Sequence, residues 1–308
     1  MTIGVSFSPN DAADEPNAID WYVDRVREAA DAGLARAWFG QLFNQDSLTL
    51  AALAGREVPG IEVGTSVVPI FGRHPLPIAN QALTAQAATH GRFTLGVGMA
   101  GAQLAEAAFG GTWERPILRL REYLTVLRAL LTEGEVDFEG ETVTARTPLS
   151  AIVPGADPVP VMVAAMGPQA LRVTGELADG TIPFLVAPRV IERHIVPPLT
   201  KAAGGQPRQV IAMVPGVVTA DVDGMRAKAR EMFAFYDSIP SYRKMLDLAG
   251  VERAADLVVI GSEEVLAAEV RRYFEAGATE VVVSSTASMA SAEDRRRTWA
   301  LLGELARS

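Results

Sequence analysis

Short β-branched runs alternate with longer stretches of helical apolar spacing from one end of the chain to the other. An apolar period near two marks a strand, and a period near 3.6 marks a helix. Ile3 to Phe7 reads as the first strand. Pro16 then opens a helix in which Ile19, Tyr22, Val23, Val26 and Ala30 share a face; Gly33 closes it, and Ala35 to Phe39 forms the second strand. Further strands are expected at Ile61 to Val68, Phe93 to Val97, Val159 to Ala164, Thr181 to Phe184, Val210 to Val218 and Glu280 to Ser284. About eight strand–helix units is the number that closes a barrel. The expected fold class is therefore α/β, a (β/α)8 TIM barrel with insertions, formed as one domain over residues 1–308.

Two segments interrupt the alternation. Residues 133–158 read as an insertion: Val136 to Val143 looks like a β-hairpin turning at Glu139-Gly140, and Pro148, Pro154 and Pro158 leave the rest of the insertion as loop. Residues 233–257 carry Pro240 and another helical stretch, and are placed as a lid over the active face. The architectural rival is a doubly wound Rossmann sheet. It needs a GxGxxG turn after the first strand, where this chain has Ser6-Phe7-Ser8-Pro9-Asn10. Gly96-Val97-Gly98-Met99-Ala100-Gly101 has the spacing but follows the fourth strand, so the barrel is preferred.

Composition narrows the chemistry. The 308 residues are 49% hydrophobic and contain no cysteine, which removes disulfides, thiolate metal sites and a Cys nucleophile. Only His74, His90 and His194 supply imidazole, and no HExxH pattern occurs, so no metal site is expected. With 28 Lys+Arg against 37 Asp+Glu the net charge is −9, which argues against nucleic acid or an anionic membrane as partner. The apolar runs are too short for a membrane span. The first residues show no secretory leader, and a cytoplasmic location is the expectation.

In a TIM barrel the working residues lie at the C-terminal ends of the strands. Strand order nominates Ser6 and Ser8, Gln41 and Asn44, Ser66, Arg73 and His74, Met99 and Gln103, Ala164 to Gly167, and Phe184. No carboxylate pair converges as a glycosidase requires, and no acidic cluster suits Mg²⁺. A mouth this poor in titratable groups suits a bound cofactor that carries the difficult chemistry, hydride transfer above all. At Ala164-Ala165-Met166-Gly167-Pro168 a strand ends in small residues and Pro168 opens the next helix. That segment is either a phosphate-binding helix N-terminus or a plain tight turn.

Several of these segments carry a resemblance over nearly the whole chain: Ala37-Trp38-Phe39-Gly40-Gln41, Gly64-Thr65-Ser66-Val67-Val68-Pro69 running on to Arg73-His74-Pro75, Gly91 to Gly98, Arg119 to Leu124, and Ala164 to Pro168. In their order and spacing the sequence resembles the luciferase-like monooxygenase superfamily, in the branch that uses the deazaflavin coenzyme F420. The resemblance implies a TIM barrel with insertions and a non-prolyl cis peptide at Ser66-Val67, supporting one face of the deazaflavin ring. It also implies that Gly40, Ser66, Val67, Gly98, Met99 and Ala100 flank the cofactor, and that Ala164, Ala165, Met166 and Gly167 hold its phosphate. Arg73 is the candidate cation for the carboxylate tail, unless it serves a surface ion pair.

Homodimerisation is implied as well. Sugar-phosphate dehydrogenases of the branch carry an Asp-His pair after the second strand and a Glu after the fourth. Here Gly40-Gln41 occupies the first place, and no Glu precedes Glu106 in the second, so sugar-phosphate oxidation is disfavoured. The expected function is hydride transfer from reduced coenzyme F420 to an electron-poor C=C, C=N or carbonyl of a small molecule, with Gln41, Asn44 and Gln103 orienting the substrate. The alternatives are an FMN-dependent monooxygenase of the same fold and a deazaflavin-binding protein without turnover.

Overall fold

Eight parallel strands close on themselves: β1 (Ile3–Phe7), β2 (Arg36–Phe39), β3 (Glu62–Thr65), β4 (Phe93–Gly98), β5 (Val161–Val163), β6 (Gly180–Thr181), β7 (Gln209–Val218) and β8 (Glu280–Ser284). Each pairs with its sequence neighbour, β6 pairs β7 through Val210 and Thr181, and β8 pairs β1 through Gly4 and Val282. The ring is therefore complete, and the open doubly wound sheet is excluded. This computed structural model describes residues 1–110, 112–285 and 289–308, and of Gln103 and Leu104 the backbone alone. Among the described residues, no helix is long and apolar enough to cross a membrane.

Helices α1 (Ala18–Asp31), α2 (Ser47–Glu57), α3 (Pro75–Ala88), α4 (Ala102–Phe109), α5 (Pro116–Thr132) and α6 (Pro168–Leu177) follow the first five strands. Most start on sequence signals. Asn17 caps α1 by accepting from the backbone N–H of Ile19 and Asp20, Asp46 caps α2 through Thr49, and Pro75, Pro116 and Pro168 stand in first turns. The outward side chains of the strands and the inner faces of these helices form the main core, with Tyr22, Phe39, Phe93 and Tyr123 among its largest fully buried members.

Inside the barrel the side chains form a separate cluster of Trp38, Met162, Ile182, Ile211, Met213 and Val282. Because successive strand residues alternate in direction, these positions fix the inward parity. Below them Glu280 accepts from Trp38 Nε1 at 2.8 Å and from Arg36 at 2.6 Å, and Arg36 also pairs with Glu62 at 2.7 Å. Burial pushes the Glu280 carboxyl up, against the charge of Arg36 and the hydrogen bonds from Trp38 and Arg36. Gly64 belongs to this layer by close approach: a Cβ there would stand 2.5 Å from the indole ring of Trp38. Two steps above Trp38, Val282 and Ile182, the same parity aims Gly40, Ser284 and Phe184 at the mouth.

Three expected boundaries shift. The third strand stops at Thr65 and resumes as the two-residue strand Val68–Pro69, which pairs with Val97 and Gly98. The sixth strand ends at Thr181, and Phe184 rejoins the sheet only by a bridge to Met213; Pro183 between them has no N–H to donate. The hairpin comprises Asp137–Glu139 and Thr144–Arg146, joined by a loop over 140–143, instead of a tight turn at Glu139-Gly140. Glu122 of α5 sets this loop: its carboxylate accepts from the backbone N–H of Glu141, Thr142 and Val143 and from the Thr142 hydroxyl. Burial would raise that carboxyl, but these bonds outweigh it and hold it below the ordinary value.

After β7 come α7 (Val222–Phe233), a 3₁₀ turn at Ala234–Ser238, α8 (Pro240–Ala249) and a second 3₁₀ turn at Ala254–Leu257. Val259–Gly261 then pairs beside Gly216–Val218 as an extra strand that the sequence pattern did not separate from its surroundings. These elements bury Met225, Phe233, Leu246, Ala254 and Ile260 against Leu185, Val217, Met289 and Ala290. Helices α9 (Glu263–Glu275) and α10 (Ala292–Arg307) complete the outer ring.

Candidate active site

A cavity of about 570 Å³ opens at the C-terminal ends of the strands. β1 and the loop after it contribute Ser6, Phe7, Ser8, Pro9 and Asn10; β2 contributes Gly40 and Leu42; the break after β3 contributes Ser66 and Val67; and β5 contributes Ala164. On the far side stand Ile182, Phe184, Met213 and Ser284 at the ends of β6, β7 and β8 and Met289 beyond them, while Met232 and, within the 233–257 segment, Phe233, Tyr236 and Tyr242 form a further wall, called the roof. Among the described lining residues there is no carboxylate, imidazole, ammonium or guanidinium. The titratable side chains among those described are the two tyrosines, and burial pushes both phenols up.

Gly40, Ser66, Val67 and Ala164 thus line the cavity as the resemblance implies, and the Ser66-Val67 peptide is cis. Backbone bonds hold this wall: Ser66 N–H donates to Phe39 at 2.8 Å, Ala164 N–H to Val97 at 2.8 Å and Ile70 N–H to Gly98 at 2.9 Å. Gly98 lies behind it, where a Cβ would meet Val67 Cγ2 at 2.6 Å and the Ala164 methyl at 3.3 Å. Met99 is half-buried and Ala100 is exposed with a φ of 60°, and neither lines the cavity.

Past Ala164, Ala165 is buried and its carbonyl accepts from the Thr181 hydroxyl at 2.8 Å. Met166 packs against the main core. Gly167 caps α6 without a side-chain hydrogen bond, and a Cβ there would meet nothing within 4 Å. The first N–H groups of this ten-residue helix therefore carry no side-chain acceptor, as an anion-binding helix end requires.

The polar residues expected to orient substrate have other tasks. Gln41 donates to the carbonyls of Leu42 and Gln45 and accepts from the Ser47 N–H at 2.7 Å, which fixes the approach to α2. Asn44 is exposed and donates to the Pro9 carbonyl at 2.5 Å; Gln45 donates to the same carbonyl and to the Tyr22 hydroxyl. Both loops at the mouth of β1 and β2 are stitched together this way, which presents Ser8 and Asn10 to the cavity. The side chain of Gln103 lies outside the described residues.

Arg73 pairs with Asp46 at 2.8 Å and is absent from the lining. The surface ion pair is the reading that fits, because Asp46 is already fixed as the cap of α2. Burial would raise the Asp46 carboxyl, but the Thr49 N–H, Arg73 and the Thr49 hydroxyl hold it below its ordinary value. His74 caps α3, with Nδ1 accepting from the Leu76 N–H and Nε2 donating to the Thr144 carbonyl at 2.9 Å. Glu106, on α4, is exposed and outside the cavity.

Sequence reasoning missed Ser284, Met213 and the roof residues. Inward parity would have found the first two, since Ser284 follows Val282 and Met213 follows Ile211 by one inward step.

The comparisons with known proteins agree with the barrel fold. The chain is 30% identical over 244 residues to the 5,10-methylenetetrahydromethanopterin reductase of Archaeoglobus fulgidus, covering 76% of this chain and 70% of that protein. It is 29% identical over 279 residues to an F420-dependent glucose-6-phosphate dehydrogenase of Nakamurella multipartita, covering 84% and 80%. The coenzyme F420-dependent tetrahydromethanopterin reductase of Methanopyrus kandleri superposes with a TM-score of 0.76 at 21% identity, over 98% of this chain and 97% of that one. The family model for luciferase-like monooxygenases matches residues 1–294, and the chain belongs to that family.

Proposed function

We propose that this protein is a deazaflavin-dependent reductase acting on an electron-poor C=C, C=N or carbonyl group. The observation that carries this is the contrast within one cavity: a wall of small residues and backbone, and no charged or imidazole side chain among the described lining residues. Side chains of that kind cannot by themselves move two electrons. When bound, reduced coenzyme F420 supplies a hydride. Ser66, Val67 and Ala164, with Gly98 packed behind them, would hold its ring system, since small residues let a flat heterocycle lie close to the strand ends. The uncapped N-terminus of α6 at Gly167 would hold its phosphate through backbone N–H groups.

The chain's own part is to bind, orient and dry the site. Methionines and aromatic rings of the roof exclude water, which strengthens every polar interaction left inside. Hydroxyls of Ser6, Ser66 and Ser284 and the phenols of the roof are the protic groups at hand. Oxidation of a sugar phosphate is not favoured, although one relative is named for it, because among the described lining residues there is no base to take a hydroxyl proton and no cation to hold a phosphate.

The test is a titration of the purified protein with coenzyme F420 and with FMN, followed by quenching of intrinsic fluorescence. Tighter binding of the deazaflavin is expected, and tighter binding of FMN overturns the assignment. A second measurement follows reoxidation of reduced F420 across activated alkenes, imines and quinones. Binding without reoxidation on any of them would favour a carrier protein instead.

A further inference from the structure

Four aromatic side chains meet at the far side of the cavity. Phe184 stands 5.5 Å from Tyr236, 6.4 Å from Phe233 and 6.4 Å from Tyr242, measured between ring centroids, and Tyr236 and Tyr242 are 4.8 Å apart at an interplanar angle of 71°. The contacts among these rings are all tilted or edge-on, so they pack against one another as one aromatic wall of the cavity. Met213 and Met289 lie beside it, and thioethers adapt their shape to flat ligands. Among the described residues, neither the Tyr236 nor the Tyr242 hydroxyl has a hydrogen-bond partner in the protein, and both side chains line the cavity. Both side chains are half-buried.

We infer that this aromatic wall is the substrate subsite, and that it takes an uncharged, planar, unsaturated carbonyl compound whose oxygen accepts hydrogen bonds from Tyr236 and Tyr242. The inference rests on the reductase reading and gives it a substrate class. Three features select that class. A ligand charge of either sign would find no counter-charge among the described lining residues and would lose its hydration on entry. A planar π-system can pack on that wall. Two half-buried phenols that line the cavity can donate to an acceptor there, and the carbonyl oxygen of an enone or quinone is the atom on which negative charge collects as its carbon accepts hydride. Burial raises the pKa of both phenols, so they remain donors across the working pH range.

The test uses protein saturated with oxidised F420, so that nothing turns over, and reads binding by calorimetry. The probes are 1,4-naphthoquinone, naphthalene and 1,4-naphthoquinone-2-sulfonate. The neutral quinone should bind at least about tenfold more tightly than the sulfonate. Tyr242→Phe and Tyr236→Phe should each weaken the quinone about three- to tenfold and leave naphthalene unchanged. A purely structural role for the phenols would weaken both probes equally. Phe233→Ala should weaken both by about tenfold, because it removes ring contact and no donor. Loss of F420 binding in the initial saturation step overturns the reductase reading. Saturable F420 binding combined with equal affinity for the neutral and sulfonated quinones, or with tyrosine variants that leave the quinone unchanged, overturns this inference alone.

Discussion

The two sides of the cavity are built by different means. The wall from β2 to β5 is backbone and small side chains, with Gly40, Ser66 and Ala164 held by strand hydrogen bonds and Gly98 packed behind them. The opposite side and roof are large flexible or aromatic side chains, several carried on helices outside the barrel and held by a satellite core of their own. A backbone surface has one shape and tolerates no added atom. A surface of Phe, Tyr and Met can be re-cut by single substitutions without touching the barrel. The division suits a site in which a constant flat cofactor lies on the wall and a variable substrate lies under the roof.

The largest expected effect breaks the wall. In Gly98→Val the new Cβ begins 2.6 Å from Val67 Cγ2, and the branched side chain must push Val67 and Ala164 into the cavity. Overpacking of this kind costs about 1–3 kcal/mol of stability, so the chain stays folded. F420 affinity should fall about a hundredfold. Equal F420 affinity in this variant and the parent would show that the ring does not lie on the wall.

A smaller effect is expected in the roof. Phe233→Leu keeps an apolar side chain but removes a ring from the satellite core, which should cost about 1–2 kcal/mol. The contrast between wall and roof predicts where that loss appears. Hydrogen exchange should accelerate over 222–257 and leave β1 to β5 unchanged, with F420 affinity altered less than about threefold. Uniform acceleration through the barrel would mean that roof and barrel form one cooperative unit.

The wall was far easier to read from sequence than the roof, and the reason is physical. Strand and helix periods are local, so the eight barrel strands and the mouth positions Gly40, Ser66 and Ala164 follow from counting along short segments and from the family resemblance. The segment 233–257 stands out in the sequence as an interruption of the alternation, but Phe233, Tyr236 and Tyr242 meet Phe184 only through packing that no local period encodes. Hydrogen bonding was the least readable. Gln41 and Asn44 stand where orienting amides would stand, yet the neighbouring loop groups Ser47 N–H, Leu42 C=O and Pro9 C=O engage them. The hairpin register likewise depends on Glu122, which lies 19 residues before the first loop N–H it binds.

The smallest effect concerns the rim of the wall, where Arg73 and Asp46 form a partly exposed pair. If the pair is structural, Arg73→Ala should cost no more than about 1 kcal/mol and leave F420 affinity independent of the length of its carboxylate tail. A loss of affinity that grows with tail length would return Arg73 to the cofactor. The pH dependence of stability shows whether the pair acts through its charge. The folded-state pKa of Asp46 is below its unfolded value, so its stabilisation is present above the unfolded value and disappears as pH falls through the folded one. Asp46→Asn should therefore be less stable than the parent near neutrality, and the difference should close in acid below the ordinary aspartate range. A difference that persists there would assign the effect to packing around α2 instead of to the charge that joins α2 to the rim.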